Sequence, residues 1–398
     1  MTKKHLQFGI LFFTLFIDML GYGIVIPVLP RYAECLGATS LQIGMLVGGF
    51  SLAQLITLPL WGHLSDSIGR KPVLIVSVFG TACGYLLMGW FPSVLIMMIG
   101  RIIDGAAGGN ISTIQAAVSD ITTPQERSKA MGSLGAAYGL GFIFGPALGG
   151  WASHRYGLSM PMFIASGLAV VNLLLIVAFL PESLSKEHQE HHAVERPSLL
   201  TLWEHLDRKT YVPAFLTFFF FVIGFSIMTT LLALFVYHRY SMNEEQTGAL
   251  YAMAGVIAIV IEAGLYGTLA KYFGDRLLSV VGALLIGVTL FLIPLTRGVG
   301  AVIGVCAIMS LGDSLISPAL PSIVSGSVNE RYQGAAFGLY QAAGSLARFL
   351  GPLLAGFFLA FDLHGPSENY ARTAFWVAAG MLVFSLIASL KIPSSIAE

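Results

Sequence analysis

Hydrophobic residues run along this chain in long unbroken blocks, without the alternation of a half-buried strand. Blocks near the ~20 residues that cross a bilayer as a helix fall at 7–29, 41–61, 73–92, 94–118, 130–151, 160–180, 211–236, 246–266, 277–296, 299–325, 334–360 and 371–392. The pattern predicts an all-α membrane protein with twelve transmembrane helices. A continuously apolar run satisfies its backbone in lipid as a helix, whereas a membrane barrel needs strands of alternating polarity. An even number of spans puts both termini on one side. On that side lie Lys3, Lys4, Arg70, Lys71, Arg127 and Lys129 among many others, while the opposite side has only Arg31, Arg155, Arg239, Arg297 and Arg372. The positive-inside rule therefore predicts cytoplasmic termini. Trp61, Trp90 and Trp151 stand at span ends, where interfacial anchors are expected.

Composition agrees with the pattern. Of 398 residues 56% are hydrophobic and 11% charged, and the mean hydropathy is +0.80; soluble domains carry about 25% charged residues. A multi-pass protein of the cell membrane is expected, with the lipid bilayer as a partner. The 45 glycines suit helices that must approach closely in lipid. Lys plus Arg and Asp plus Glu are both 21, which argues against a nucleic-acid partner. Cys35, Cys83 and Cys306 match no C-x-x-C spacing, so neither a disulfide framework nor a zinc site is indicated. The apolar run after Lys3 and Lys4 is too long for a signal peptide and is read as a retained first span.

A polar stretch, PESLSKEHQEHHAVERPSLLTLWEHLDRK at 181–209, divides the spans six and six. The expected organisation is an N-terminal bundle over 1–180, a cytoplasmic linker over 181–210 and a C-terminal bundle over 211–398. His188, His191 and His192 in the linker could chelate a metal, although solvated linker histidines are far commoner. The halves also repeat. GPALGG at 145–150 returns as GPLLAG at 351–356, each after a Glu-Arg pair (Glu126-Arg127, Glu330-Arg331), and GHLSDSIGRK at 62–71 returns weakened as GTLAKYFGDR at 267–276. Two matched six-helix halves around a midplane site form the architecture of many secondary transporters.

Charges inside the spans are the candidate chemistry. The acids are Asp18, Asp104, Glu262 and Asp313, and the bases are Arg101 and Arg348. Asp18 and Tyr22 share one helix face, as do Arg101, Asp104, Gly105 and Gly108. Arg101 can pair with Asp18 or with Asp104, but two bases cannot neutralise four carboxylates. The remaining acids must take protons or a cationic ligand, because a charge near the bilayer centre costs at least ~2.5–3.5 kcal/mol on insertion scales. A carboxyl group that is desolvated in one state and opened to water in another can load and release a proton.

Two stretches bear on movement. GHLSDSIGRK is expected to be a tight cytoplasmic loop, in which Gly62 permits close helix contact, Gly69 takes a positive φ, and Asp66, Arg70 and Lys71 supply charge where helix ends meet. GLGFIFGPALGG puts Gly141, Gly145 and Gly149 on one helix face beside Pro146 and Gly150, which predicts a close-packed, bendable helix. Packing alone and a role in gating both fit it.

DMLGYGIVIPVLP, GHLSDSIGRKPVL, GRIIDGAAGG and GLGFIFGPALGG together make the chain resemble, over essentially its full length, a major facilitator superfamily transporter of the drug/proton antiporter group that includes the tetracycline exporters. The resemblance implies that Asp18 matches a first-span acid used in transport. It implies that Asp66 meets the start of span 11, that Arg70 reaches Asp120, and that the glycine helix marks an exporter. It also implies a monomer that uses a proton gradient and no cofactor. This chain departs from the tetracycline exporters at Ser67, where Arg is usual, at Gly84, where they carry an acid, and at Asp104, where they have a small residue. Tetracycline is therefore a doubtful substrate.

The function expected is proton-coupled export of small amphipathic molecules or drugs by alternating access. The alternative cargo is an endogenous metabolite such as a siderophore, sugar or lipid, with or without proton coupling. An intramembrane enzyme or receptor would call for G-x-S-x-G, H-E-x-x-H or a comparable constellation, and none is present. No Gly-Lys dipeptide exists, so ATP does not drive transport through a Walker A loop.

Overall fold

The structure, a computed structural model, describes residues 3–108, 110–183, 203–329, 332–363 and 369–393. His188, His191, His192 and the Glu330-Arg331 pair lie outside the described residues. Among the described residues, eleven helical stretches are long and apolar enough to cross a membrane. The first half contributes α1 (Lys3–Val25), α2 (Leu29–Cys35), α3 (Ser40–Ile68), α4 (Arg70–Trp90), α5 (Val94–Ala107), α6 (Asn110–Ile121), α7 (Pro124–Tyr156) and α8 (Met160–Phe179). The second contributes α9 (Arg208–Tyr240), α10 (Glu244–Ile259), α11 (Tyr266–Leu292), α12 (Val299–Gly326), α13 (Gln333–Asp362) and α14 (Arg372–Leu390), with a π-helical turn, Val260–Leu265, between α10 and α11. One stretch, Glu244–Leu295, runs 52 residues, which at 1.5 Å per residue is about 78 Å, more than twice the hydrocarbon thickness. It is broken at Gly274, whose φ of 74° and ψ of 150° are not helical.

Boundaries depart from the hydropathy pattern for local reasons. α1 stops at Val25, just before Ile26-Pro27, a dipeptide in which proline disfavours helical backbone at the residue before it. GHLSDSI is helix and not loop: α3 continues through it to Ile68, and Gly69 alone makes the turn into α4 at a φ of 104°. Gly62 does not mediate a close helix contact, since nothing lies within 4 Å of a Cβ built there. α7 begins six residues before the predicted 130, held by a capping box between Thr123 and Glu126. The Thr123 backbone N–H, then its hydroxyl, holds the Glu126 carboxyl below its ordinary range.

The chain divides into two compact units, Met1–Val194 with Asn243–Ala252, and Glu195–Met242 with Met253–Glu398. In the first, α1 and α7 meet along glycine. A Cβ on Gly145 would sit 2.7 Å from Gly23 Cα and 2.8 Å from the Leu20 carbonyl, and one on Gly141 would sit 2.8 Å from Leu20 N. Gly149 faces Ile24 on the same seam, while Gly150 faces Glu244 and Gly248, and Pro146 sits within the helix. In the second unit Gly351, the counterpart of Gly145, abuts Ser226 and Ile223 of α9. The atoms opposing Gly145 are backbone and cannot step aside, so Gly145→Val is expected to destabilise the protein by about 2–3 kcal/mol or to prevent assembly. Gly135→Ala on the same helix, with nothing within 4 Å, is the control and should be neutral or slightly stabilising. Thermal unfolding in mild detergent measures both.

Candidate functional site

The helix that carries Arg101 and Asp104 is interrupted. α5 ends at Ala107 and α6 starts at Asn110, where hydropathy predicts one continuous span. A break at membrane depth frees carbonyls that must find donors elsewhere, and three side chains from α3 and α4 supply them. The Trp61 indole N–H donates to Ala106 O at 2.5 Å, the Ser77 hydroxyl donates to Ala107 O, and Gln54 Nε2 donates to Gly108 O at 3.1 Å. Trp61 is thus bonded within the unit, while Trp90 and Trp151 are exposed. Trp61→Phe keeps a ring but strands a carbonyl, and should cost about 1–3 kcal/mol in thermal unfolding.

The helix that restarts at Asn110 brings chemistry of the first and fourth spans together. Asn110 Nδ2 donates to Asp18 Oδ2, while Asp18 Oδ1 is buried with no hydrogen-bond partner among the described residues. One turn earlier, the fully buried Thr14 hydroxyl is likewise without a partner. Tyr22, a turn beyond Asp18, packs edge-on against Phe142 and at 5.4 Å from Phe50. Arg101 pairs with Asp104 of its own helix, Nη1 to Oδ2 at 2.9 Å, and its guanidinium lies 4.3 Å from the Phe50 ring. Thr81 and Tyr85 of α4 adjoin the same carboxylate. Gly84 allows this approach, because a Cβ there would lie 3.1 Å from Asp104 Cβ.

The second unit holds Glu262, Asp313 and Arg348 separately from these. Glu262 sits in the π-helical turn, a local distortion frequent at functional sites, and interacts electrostatically with Asp313 of α12. Ser317 donates to Asp313 Oδ1 at 3.0 Å. Arg348 donates to Ser345 at 3.2 Å. Ion pairing among the described residues therefore leaves Asp18, Glu262 and Asp313 without a fixed counter-charge.

At the α3–α4 turn, Arg70 is the hub. Its side chain donates to Asp66 at 2.5 Å, Ser65 at 2.7 Å and Asp120 of α6 at 3.2 Å. Glu182 accepts from the backbone N–H groups of Arg70 and Lys71 at 2.9 and 3.1 Å, so a carboxylate caps the start of α4. Lys71 Nζ reaches the Val177 carbonyl at 2.9 Å. Asn110, Glu182 and the three donors to the break had no signature in their local sequence, since each acts on a partner far along the chain. Among the described residues no group of three or more His, Cys, Asp or Glu could hold a metal ion.

Comparison with known proteins places this arrangement. The model of the Major Facilitator Superfamily matches residues 11–352 and 263–395. Multidrug resistance protein 2 of Bacillus subtilis (strain 168) is 31% identical over 372 residues, 92% of each chain. Quinolone resistance protein NorA of Staphylococcus aureus (strain MSSA476) is 26% identical over 381 residues, 95% of each. Among solved structures, a bacterial homolog of the human lysosomal transporter Spinster shares the fold with a TM-score of 0.82 at 13% identity, covering 98% of both chains. The chain is a multi-pass membrane transporter, not an enzyme, and it belongs to the Major Facilitator Superfamily.

Proposed function

We propose that this protein is a proton-coupled exporter of small amphipathic molecules, drugs among them, working by alternating access as a monomer in the cell membrane. The carrying observation is Asp18: a carboxyl group at membrane depth with one oxygen bonded by Asn110 and the other without a partner. That second oxygen is where a proton or a cationic group would be received. Asp104 and Arg101 beside it, with Tyr22, and Asp313, Glu262 and Arg348 in the second half make up the coupling and substrate residues. Gly62, Asp66, Gly69, Arg70, Lys71 and Asp120, at the α3–α4 turn and on the helices beside it, are the gating residues. The packed face of Gly141, Gly145, Pro146, Gly149 and Gly150 is the helix on which α1 moves. Multidrug and quinolone resistance among the relatives supports the cargo class. Dividing Glu244–Leu295 at Gly274 gives twelve spans, and Lys and Arg placement supports cytoplasmic termini. The proton gradient supplies the energy, with no cofactor.

Flux of a cationic dye in proteoliposomes across an imposed pH gradient tests this. Accumulation that collapses with the gradient is the expected result. Dye movement that is equal with the gradient abolished overturns proton coupling, and transport of an endogenous metabolite in place of the dye overturns the cargo.

A further inference from the structure

One cation inside a span is not balanced by any ion pair among the described residues. Arg348 lies at the middle of the 30-residue α13 and is half-buried. None of the ion pairs involves it; its Nη2 donates to Ser345 Oγ at 3.2 Å. The mid-span acids of its own unit do not pair with it either: Asp313 accepts from Ser317 and faces the like charge of Glu262, and the positive charge of Arg348 acts on the Tyr340 hydroxyl. An ionised side chain at this depth is costly and marks a functional site unless it is paired.

Beside the guanidinium lies the half-buried ring of Phe218, backed by the buried Tyr340. The rings of Phe218 and Tyr340 stack with centroids 3.8 Å apart and 17° between planes. Phe218 and Arg348 converge on Gly344, where a Cβ would lie 2.7 Å from Phe218 Cε1 and 3.3 Å from Arg348 Nη1. Glycine at 344 lets the donor fork and the ring edge lie side by side. A planar fork recognises both oxygens of a carboxylate, and an adjacent ring packs against an aromatic body.

We infer that Arg348, with Ser345 and the Phe218–Tyr340 stack, forms a subsite for the carboxylate of an anionic or zwitterionic aromatic substrate. The inference rests on the export reading only in calling that ligand a substrate. It narrows the cargo: amphipathic molecules carrying a carboxylate on an aromatic frame should be preferred over equally hydrophobic cations at this position.

Two aromatic dyes, the carboxylate-bearing fluorescein and the cationic ethidium, provide the test. Equilibrium binding to the full-length protein in mild detergent is read by fluorescence anisotropy. Arg348→Gln is expected to weaken fluorescein roughly tenfold or more, as loss of a charge-assisted bond should, while ethidium, relieved of a like charge, is not weakened. Arg348→Lys keeps the charge, loses the fork and should fall between. If Arg348→Gln does not give monodisperse protein, Phe218→Leu takes its place, with fluorescein again weakened and ethidium spared. Equal loss for both dyes, no loss for fluorescein, or no fluorescein binding to the unaltered protein overturns the subsite. Ethidium flux in proteoliposomes is scored separately: its absence removes the export reading while the binding result still judges Arg348.

Discussion

Asp18→Asn should bring gradient-driven export to background while leaving expression and thermal stability close to those of the unaltered protein. The amide is nearly isosteric, and its oxygen can still accept from Asn110 Nδ2, so the contact between α1 and α6 survives. What disappears, on the proposed mechanism, is a group that can exchange a proton at the unpartnered position. Substrate binding without a gradient should persist, because the substitution removes a titrating group and not a packing element. Downhill exchange of labelled substrate measured beside gradient-driven accumulation separates the two. Full accumulation in this variant would take Asp18 out of the mechanism, and loss of both activities together with lowered stability would make its role structural.

How Asp18 could be singled out from the sequence, while its setting could not, follows from the range of each signal. Run length is a local signal, so an all-helical, multi-pass membrane protein was legible, and an acid inside an apolar run is conspicuous. The glycine face at Gly141, Gly145 and Gly149 was legible for the same reason: spacing along one helix is enough to show it, and the close approach to Gly23 and Ile24 is its consequence. The interruption after Ala107 was not. AAGG reads as small packing residues, and what makes a break tolerable there is a set of donors, Gln54, Trp61 and Ser77, from two other helices. The turn at Gly69 was legible from its glycine, but the helix before it was drawn too short, because charged residues past the hydrocarbon edge lower hydropathy without ending a helix. Arg101 had two acids within reach by sequence; the i,i+3 geometry on its own helix brings it to Asp104.

That choice gives the second large expectation. Arg101 and Asp104 are 2% and 3% exposed, so removing one partner strands the other in a place that cannot hydrate it. Arg101→Leu should cost about 3–5 kcal/mol, the usual penalty for an uncompensated buried charge. Adding Asp104→Asn to the same chain removes the stranded charge and should return stability to within about 1–2 kcal/mol of the starting protein, since a buried pair contributes little net stability against neutral replacements. Thermal unfolding of the two single variants and the double variant in one detergent closes the cycle. A double variant no better than Arg101→Leu would mean that the guanidinium stabilises mainly through its packing on Phe50, 4.3 Å away. Transport then assigns the pair. If stability and gradient-driven export both return in the double variant, the pair is a structural tie within α5. If stability returns and export does not, Arg101 and Asp104 belong to the transport machinery proposed around Asp18.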